Sequence, residues 1–258
     1  MIEKLVFIND KLLYGLTGSY AAHYYHHYMA PPRVFEIKIE PQDEGKWIAF
    51  LTDEKTRVFI GDVIETRKIS SYVKLLHSPR QINLIRIRTE QGYYLERPEF
   101  LLMELLERQA QTSVIEAIAI ILQNKDKLRW HGNEGIINLA GDLGFSRRLG
   151  FLLDAMNFEA QKPVIEEEII QEIKRSARGK SDETFPRDEI FLARFRELMN
   201  KLAHRALLTR NEIEELERMR ESFEGYKMLG EKWGIQVILP RDVVRKVLED
   251  LGVKLGKK

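Results

Sequence analysis

The spacing of apolar residues changes once along this chain, at Pro98, and that change constrains the fold class. Before Pro98, short runs rich in β-branched and aromatic residues alternate with turn-forming residues, which is typical of strands. Strands are predicted over residues 3–9, 34–40, 46–52, 56–61, 82–88 and 92–96. One helix is predicted between them at residues 17–29, ended by Pro31 and Pro32.

After Pro98 the apolar residues recur at the period of an amphipathic helix. Helices are predicted over residues 98–109, 113–124, 133–144, 146–157, 163–178, 187–208, 209–234 and 240–252, with a last strand at 235–239. The helices after Asn157 are more charged, and the polar stretch 178–186 is typical of a loop. We predict an α/β (α+β) fold, with a core domain of mixed sheet and helices over residues 1–160 and a mainly helical domain over residues 161–258.

Composition excludes several classes of site. The 258-residue chain has no cysteine, which excludes disulfides and thiolate metal sites. Its 41 Lys and Arg and 40 Asp and Glu leave a net charge of +1, so attraction to nucleic acid requires a local patch. No apolar run of about 18 residues occurs, and we expect a cytoplasmic protein without membrane contact. Many charged residues without cysteine are typical of heat-adapted, thermophilic proteins.

The segment GFSRRLGFLLDAMN, residues 144–157, is an amphipathic helix with an unusual start. Ser146 is the predicted N-cap, and apolar side chains recur at helical spacing after it. Arg147 and Arg148 lie in the first turn, where the helix dipole disfavours positive charge. They form either a solvated surface pair or a contact to phosphate or to a partner.

Three segments, in order, resemble one protein family. RRLGFLLDAMN (147–157) is similar to the segment that closes the core domain of the AbiEi family, the antitoxin half of type IV toxin–antitoxin systems. LTGSYAAHYYHHYMAPPRVFEIKI (16–39) resembles the family's helix and the strand after it, and LERPEFLLMELLER (95–108) resembles a third family segment. Together these segments span roughly residues 10–160.

The resemblance implies antitoxin-like neutralisation. We therefore predict a non-catalytic antitoxin or regulator that binds a partner protein, with an AbiEii-like toxin as the candidate, or nucleic acid through a basic surface. The family's usual N-terminal winged helix, which binds operator DNA, has no counterpart before Leu16. As an alternative, the chain is a DNA-binding transcriptional regulator that uses its helical C-terminal region for DNA.

Residues 16–40 also resemble the opening motif of nucleotidyltransferases, a Gly-Ser pair before a helix and two carboxylates on the following strand. The reaction needs Mg²⁺, and carboxylates at positions i and i+2 point to one side of a strand. Gly18 and Ser19 match the pair and Glu36 matches one carboxylate, but Lys38 places an ammonium where a metal would bind. We therefore predict a nucleotidyltransferase-like sheet with a degenerate site, and no catalytic residue, metal or cofactor.

Other interpretations of the same residues stay open. Glu36, Lys38 and Glu40 could form a solvated stripe opposite a buried face of Phe35, Ile37 and Ile39. The chain could be an active metal-dependent nucleotidyltransferase that uses Glu36 with further acids. Glu36 and Lys38 could also be half of a restriction-type nuclease site completed by Asp10. On the preceding helix, His23 and His27 are spaced either to bind a metal or to pack among aromatic residues.

The run RKISSYVKLLHSPRQINLIRIR, residues 67–88, has no acidic residue and is the best candidate for a binding surface. Its cationic residues are Arg67, Lys68, Lys74, Arg80, Arg86 and Arg88. Arg86 and Arg88 alternate with isoleucines, so both guanidinium groups leave one side of a strand, where they suit phosphates or carboxylates. We predict that this surface binds the partner protein or DNA; the alternative is a solvated sheet face.

Overall fold

The computed structural model describes residues 1–8, 11–30, 32–52, 56–61, 72–177 and 183–256. It combines a mixed sheet with many helices, which confirms the predicted α/β class. The chain divides into two compact units, Met1–Glu104 and Leu105–Lys258, and the predicted boundary after residue 160 falls inside the second unit.

The first unit is built on a six-stranded sheet. Its strands are β1 (Tyr14–Thr17), β2 (Val34–Ile39), β3 (Val58–Ile60), β4 (Tyr72–His77), β5 (Arg86–Arg88) and β6 (Tyr94–Glu96), in the order β3-β4-β2-β1-β6-β5. β1 is antiparallel to β2 and parallel to β6, β4 is parallel to β2 and β3, and β5 is antiparallel to β6. Among the described strands, β3 and β5 therefore form the two edges.

Helices pack on both faces of this sheet. The helices of the first unit are α1 (Ile2–Ile8), α2 (Gly18–His26), α3 (Glu44–Leu51), α4 (Ile82–Ile85) and α5 (Pro98–Arg108), which contains the boundary between the units. The Tyr14 ring of β1 meets the Trp47 ring of α3 edge-on, with centroids 5.4 Å apart, and the Tyr14 hydroxyl donates to the Leu5 carbonyl of α1. α1 and α3 thus bury the same side of β1.

Two predicted strands are helices in the structure. The predicted strands 3–9 and 46–52 are rich in β-branched and aromatic residues, but residues 3–8 belong to α1 and residues 46–51 to α3. The buried residues of α3 are Trp47 and Leu51, one helical turn apart, so the period of burial outweighs residue type. Conversely, β1 and β4 form where the sequence predicts no strand, and the predicted strand 82–88 divides into α4 and β5.

The second unit is mainly helical. Its elements are α6 (Gln111–Asn124), α7 (Ile136–Asp142), α8 (Ser146–Glu159), α9 (Glu167–Ser176), β7 (Thr184–Phe185), α10 (Glu189–Ala203), α11 (Arg210–Gly225), α12 (Lys227–Trp233), β8 (Gln236–Val237) and α13 (Arg241–Asp250). The predicted helix 209–234 is interrupted at Tyr226, whose φ of −120° is not helical and whose side chain is buried.

α8 lies at the centre of the second unit and packs with α7, α9, α12 and α13. Gly150 allows α12 to approach closely, since a Cβ at this position would lie 2.1 Å from the Trp233 ring. Ser146 is the first residue of α8 rather than its N-cap, which is Phe145. The Ser146 hydroxyl is instead hydrogen-bonded to the Ser176 hydroxyl of α9 at 2.7 Å, so it serves helix packing.

Candidate functional site

The sheet face opposite the Tyr14 side carries a row of polar side chains. Residues paired on neighbouring strands share a face, so the register aligns one residue from each of five strands. From β4 to β5 this polar row contains Lys74, Glu36, Thr17, Glu96 and Arg86. Lys38 lies on the same face, paired with Gly15. The side chains of Glu36 and Lys38 are 12% and 14% exposed, so they do not form a solvated stripe.

Lys38 reaches across β1 to two carboxylates. Its Nζ lies 2.7 Å from Glu96 Oε1 on β6 and 2.6 Å from Glu104 Oε2 on α5. Gly15 is the β1 residue paired with Lys38, and a Cβ there would lie 3.6 Å from Glu96 N and 3.8 Å from Arg86 Cβ. The Glu96 side chain is 2% exposed, and a carboxylate buried to this degree is strongly destabilising unless it is paired. The Lys38 ammonium therefore stabilises both carboxyl groups.

Thr17 completes this group, which we call the Lys38 cluster (Thr17, Lys38, Glu96 and Glu104). Thr17 Oγ1 is hydrogen-bonded to Glu96 Oε2 and, at 2.7 Å, to Glu104 Oε2. A hydroxyl has one proton and donates to only one of them, so the other contact needs a proton on a carboxyl group. Burial raises the pKa of Glu96 to about 7 despite the opposing effect of Lys38. The raised pKa makes Glu96 the carboxyl group that takes up this proton as the pH falls below about 7.

The Lys38 side chain stays protonated within the cluster. Burial lowers the pKa of the ammonium, but Glu96 and Glu104 outweigh it and hold the pKa above its ordinary value. With Glu96 protonated, the cluster contains one ammonium, one carboxylate and one carboxylic acid, and its net charge is zero.

The other residues of the predicted nucleotidyltransferase-like site border the Lys38 cluster. Gly18 directly follows Thr17 as the first residue of α2, with a φ of +62° that glycine adopts without strain. Ser19 is the second residue of the same helix. Glu36 is paired with Thr17 in the sheet and forms an ion pair with Lys74 at 3.4 Å. The structure thus brings all four predicted residues to the end of β1.

No group of three or more His, Cys, Asp or Glu side chains that could hold a metal ion occurs in the described part of the chain. The predicted pair His23 and His27 has ring centroids 5.4 Å apart, edge to face, and His23 Nδ1 is bonded to the Met29 carbonyl at 2.7 Å. Burial lowers the pKa of the neighbouring His26 to about 4. Asp10, the acid of the nuclease alternative, lies outside the described residues.

Within the described part of the run 67–88, the cationic side chains do not form one continuous surface. Arg67 and Lys68 lie outside the described residues. Lys74 and Arg86 occupy the two ends of the polar row, four strand spacings apart, which is roughly 19 Å. Lys74 is also paired with a carboxylate of that row. The predicted patch is therefore reduced to the residues near β5.

Near β5, three arginines of the run lie at or close to the sheet edge. Arg80 is exposed and its guanidinium lies over the Phe100 ring, 5.5 Å from the centroid. Arg86 is half-buried and stacks on Tyr94 at 3.9 Å. Arg88 is exposed. A binding surface at this end of the sheet stays a prediction.

Arg147 and Arg148 make contacts within the second unit. Arg147 Nη1 donates to the Trp233 carbonyl at 2.6 Å. Arg148 Nη1 donates to the Leu106 carbonyl at 3.0 Å, and its other guanidinium nitrogens donate to Glu183. Burial lowers the pKa of Arg148, whose side chain is 11% exposed, so it is not a solvated surface residue. Both arginines hold other segments against α8.

Sequence reasoning missed three members of the Lys38 cluster. Glu104 stands in the apolar run FLLMELL, and an acid surrounded by leucines on a helix is a signal of a buried, partnered charge. Glu96 ends a predicted strand and gave no such signal. Thr17 was overlooked because β1 itself was not predicted.

A concave feature lies in the second unit. A cleft of about 1330 Å³ opens beside Glu159, whose side chain is fully buried and accepts hydrogen bonds from Arg241 and Arg245. Burial raises the pKa of Glu159, but the bonds from these arginines outweigh it and hold the pKa below its usual value. This ion pair joins α13 to the end of α8, and none of the predicted site residues lines the cleft.

None of the described helices has the length and apolar character needed to cross a membrane. No protein-family model, curated protein or solved structure matches the chain.

Proposed function

We propose that this protein is a non-catalytic antitoxin or regulator of a type IV toxin–antitoxin system, which acts by binding an AbiEii-like toxin protein. The observation that carries the proposal is the position of Lys38, whose ammonium binds Glu96 and Glu104 where a nucleotidyltransferase of this motif would hold its metal. The resemblance of roughly residues 10–160 to the AbiEi core gives the proposal its partner.

Nucleotidyl transfer needs a divalent cation to neutralise the charge that develops on the phosphates. In the Lys38 cluster the two nearest carboxyl groups already bind an ammonium. A divalent ion would have to displace Lys38 and would also be repelled by Lys74 on the same face of the sheet. The geometry therefore supports binding rather than catalysis.

The partner is tested with the product of the neighbouring gene. We expect that gene to encode an AbiEii-like nucleotidyltransferase whose toxicity is relieved when this protein is expressed with it, and the two purified proteins to form a complex. Duplex DNA of the protein's own promoter is titrated in parallel, at several salt concentrations. Binding to DNA with no protein partner would reject the proposal in favour of a transcriptional regulator.

The absence of catalysis is tested separately. Purified protein with Mg²⁺ and each labelled nucleoside triphosphate should transfer no label to itself or to RNA. Metal-dependent transfer that disappears in Glu36→Gln would identify an active nucleotidyltransferase and overturn the proposal.

A further inference from the structure

We propose that the partner supplies an extended segment with alternating apolar and acidic residues, which pairs with β5 as an additional strand of the sheet. The surface in question, here called the β5 edge, consists of Arg88 and Ile87 on the strand with Leu84 and Val6 beside it. The inference rests on the proposed function, since it specifies how a protein partner is held.

The backbone of β5 has one hydrogen-bonding side directed away from the sheet. The Arg97 N–H donates to the Ile85 carbonyl, and the Thr89 N–H donates to the Tyr93 carbonyl. In an antiparallel pair the residues that bond to the neighbour alternate with those whose N–H and C=O point outward. Ile85 and Thr89 bond inward toward β6, so the backbone groups of Arg88 point outward. Such an edge is a template for strand addition.

At the β5 edge, the two faces of the sheet carry side chains of different chemistry. Arg88 is exposed and lies on the polar face of the sheet, paired in register with Tyr94. Ile87 lies on the opposite, apolar face and is 49% exposed. Successive residues of an added strand would therefore meet arginine on one face and isoleucine on the other. An acidic residue suits the first position and an apolar residue suits the second.

Further exposed apolar residues surround Ile87. Leu84 in α4 is 51% exposed, and Val6 in α1 is 38% exposed. Val6 and Arg88 both lie against Gly92 in the turn after β5, since a Cβ there would be 3.7 Å from Val6 Cγ1 and 4.0 Å from Arg88 Nη2. The apolar and basic parts of the β5 edge are thus contiguous. A phosphate backbone would use only the cations, so these apolar residues favour a protein strand.

The decisive variant is Arg88→Pro. Proline removes both the outward N–H and the guanidinium group of residue 88. It leaves the inward bonds of Ile85 and Thr89 in place, so β5 should still pair with β6. Arg88→Glu keeps the backbone and reverses the charge. Arg187→Glu in the second unit, whose side chain is 69% exposed, is a matched charge-reversal control.

The probe is a fluorescein-labelled peptide of about seven alternating valine and glutamate residues, long enough for one strand. We expect it to bind the parent and Arg187→Glu equally, and to bind Arg88→Pro and Arg88→Glu at least about tenfold more weakly. A peptide of the same sequence with every backbone amide N-methylated should not bind, because it keeps the charge but lacks the N–H donors on both of its edges. Equal binding to the parent and Arg88→Pro, or none to the parent, would overturn the inference.

The variants are also tested in the complex with the neighbouring gene's product. If the parent forms the complex and Arg88→Pro forms it equally well, the strand-addition inference fails and the proposed function stands. If the parent forms no complex, the proposed function fails, while the peptide titration still decides whether the β5 edge accepts a strand. A dimer of the parent that Arg88→Pro dissociates would show that a second copy occupies the edge, which also overturns the inference.

Discussion

Lys38 joins three secondary-structure elements through one ammonium group. It extends from β2 past β1 and binds a carboxyl group on β6 and another on α5. All the members of the Lys38 cluster are largely buried, so the geometry of each one depends on the others. A substitution at one position changes both the stability of the sheet and the affinity of the cluster for cations.

Replacing Lys38 with methionine should destabilise the protein by about 3–5 kcal/mol, because it leaves two buried carboxyl groups without their counter-ion. Glu96 Oε1 and Glu104 Oε2 lie 2.7 and 2.6 Å from Nζ, so both oxygens face the same point. Oxygen ligands of Ca²⁺ lie at similar distances, about 2.3–2.6 Å from the ion. Added Ca²⁺ should therefore restore part of the lost stability, measured by urea unfolding with and without the ion.

The matched control for this substitution is Lys74→Met. Lys74 contacts Glu36 at 3.4 Å and lies outside the Lys38 cluster, so its loss should be less destabilising and insensitive to Ca²⁺. A Lys38→Met protein as stable as the parent, or an equal Ca²⁺ response from both variants, would contradict this account of the cluster.

The proton on Glu96 makes stability depend on pH. The folded pKa of about 7 lies above the ordinary value of 4.5, because burial disfavours the carboxylate. The stabilising contribution is therefore complete below about pH 4.5 and is lost as the pH rises toward 7, by up to about 3 kcal/mol. Glu96→Gln keeps a neutral side chain at every pH, so the stability difference between parent and variant, followed by urea unfolding, should shift across this window. A constant difference would show that Glu96 does not hold the proton.

At the scale of secondary-structure elements, packing determines whether a segment adopts the helix or strand that its local sequence favours. Most helices after Pro98 were predictable because their apolar residues recur with helical period. α1 and α3 were not, because β-branched and aromatic residues in short segments suit either structure until the buried positions are known. β1 is only four residues long and was too short to predict, although it carries Thr17 and Gly15 of the site. Glu36 and Lys38 were found from strand alternation, whereas Glu96 and Glu104 depend on tertiary contacts that no local pattern encodes.

Gly150 illustrates such a contact between elements. A methyl group at this position would lie 2.1 Å from the Trp233 ring, which is 1% exposed and has little room to move. Gly150→Ala should therefore separate α8 from α12 and lower the free energy of unfolding by about 2–3 kcal/mol. Combining it with Trp233→Phe, which shortens the ring system, should recover part of the loss in a double-mutant cycle.

Gly45→Ala is the control for the Gly150 substitution. Gly45 also lies in a helix, α3, but a Cβ there meets nothing within 4 Å. Alanine at this site should therefore be neutral or stabilise the protein by up to about 1 kcal/mol. Similar thermal midpoints for the two alanine variants would show that α8 and α12 are not in close contact at Gly150.

At the scale of the whole molecule, the second unit combines residues on both sides of the predicted domain boundary. The sequence suggests a boundary after residue 160 because the helices become more charged there. Charge reflects the solvent-facing side of a helix, however, and the buried sides of α12 and α13 pack on α8. Glu159 at the end of α8 is held by Arg241 and Arg245 of α13. The surface pattern therefore changes at residue 160, but the core of the second unit does not end there.

Two fragments test whether the chain divides after residue 160 or, as in the two compact units, after Glu104. Residues 161–258 alone lack α8, so the Trp233 ring loses its packing against Gly150 and two arginines lose the Glu159 carboxylate. This fragment should not unfold cooperatively, whereas residues 98–258, which keep α5 whole together with α6, α7 and α8, should give a single sigmoidal thermal transition. Trp233 is the sole tryptophan of residues 161–258, so the near-ultraviolet circular dichroism of this fragment reports whether its ring is fixed, and the signal should be weak. A cooperative transition in residues 161–258 would place the boundary at residue 160 after all, because it would show that α9 to α13 form their own core without α8.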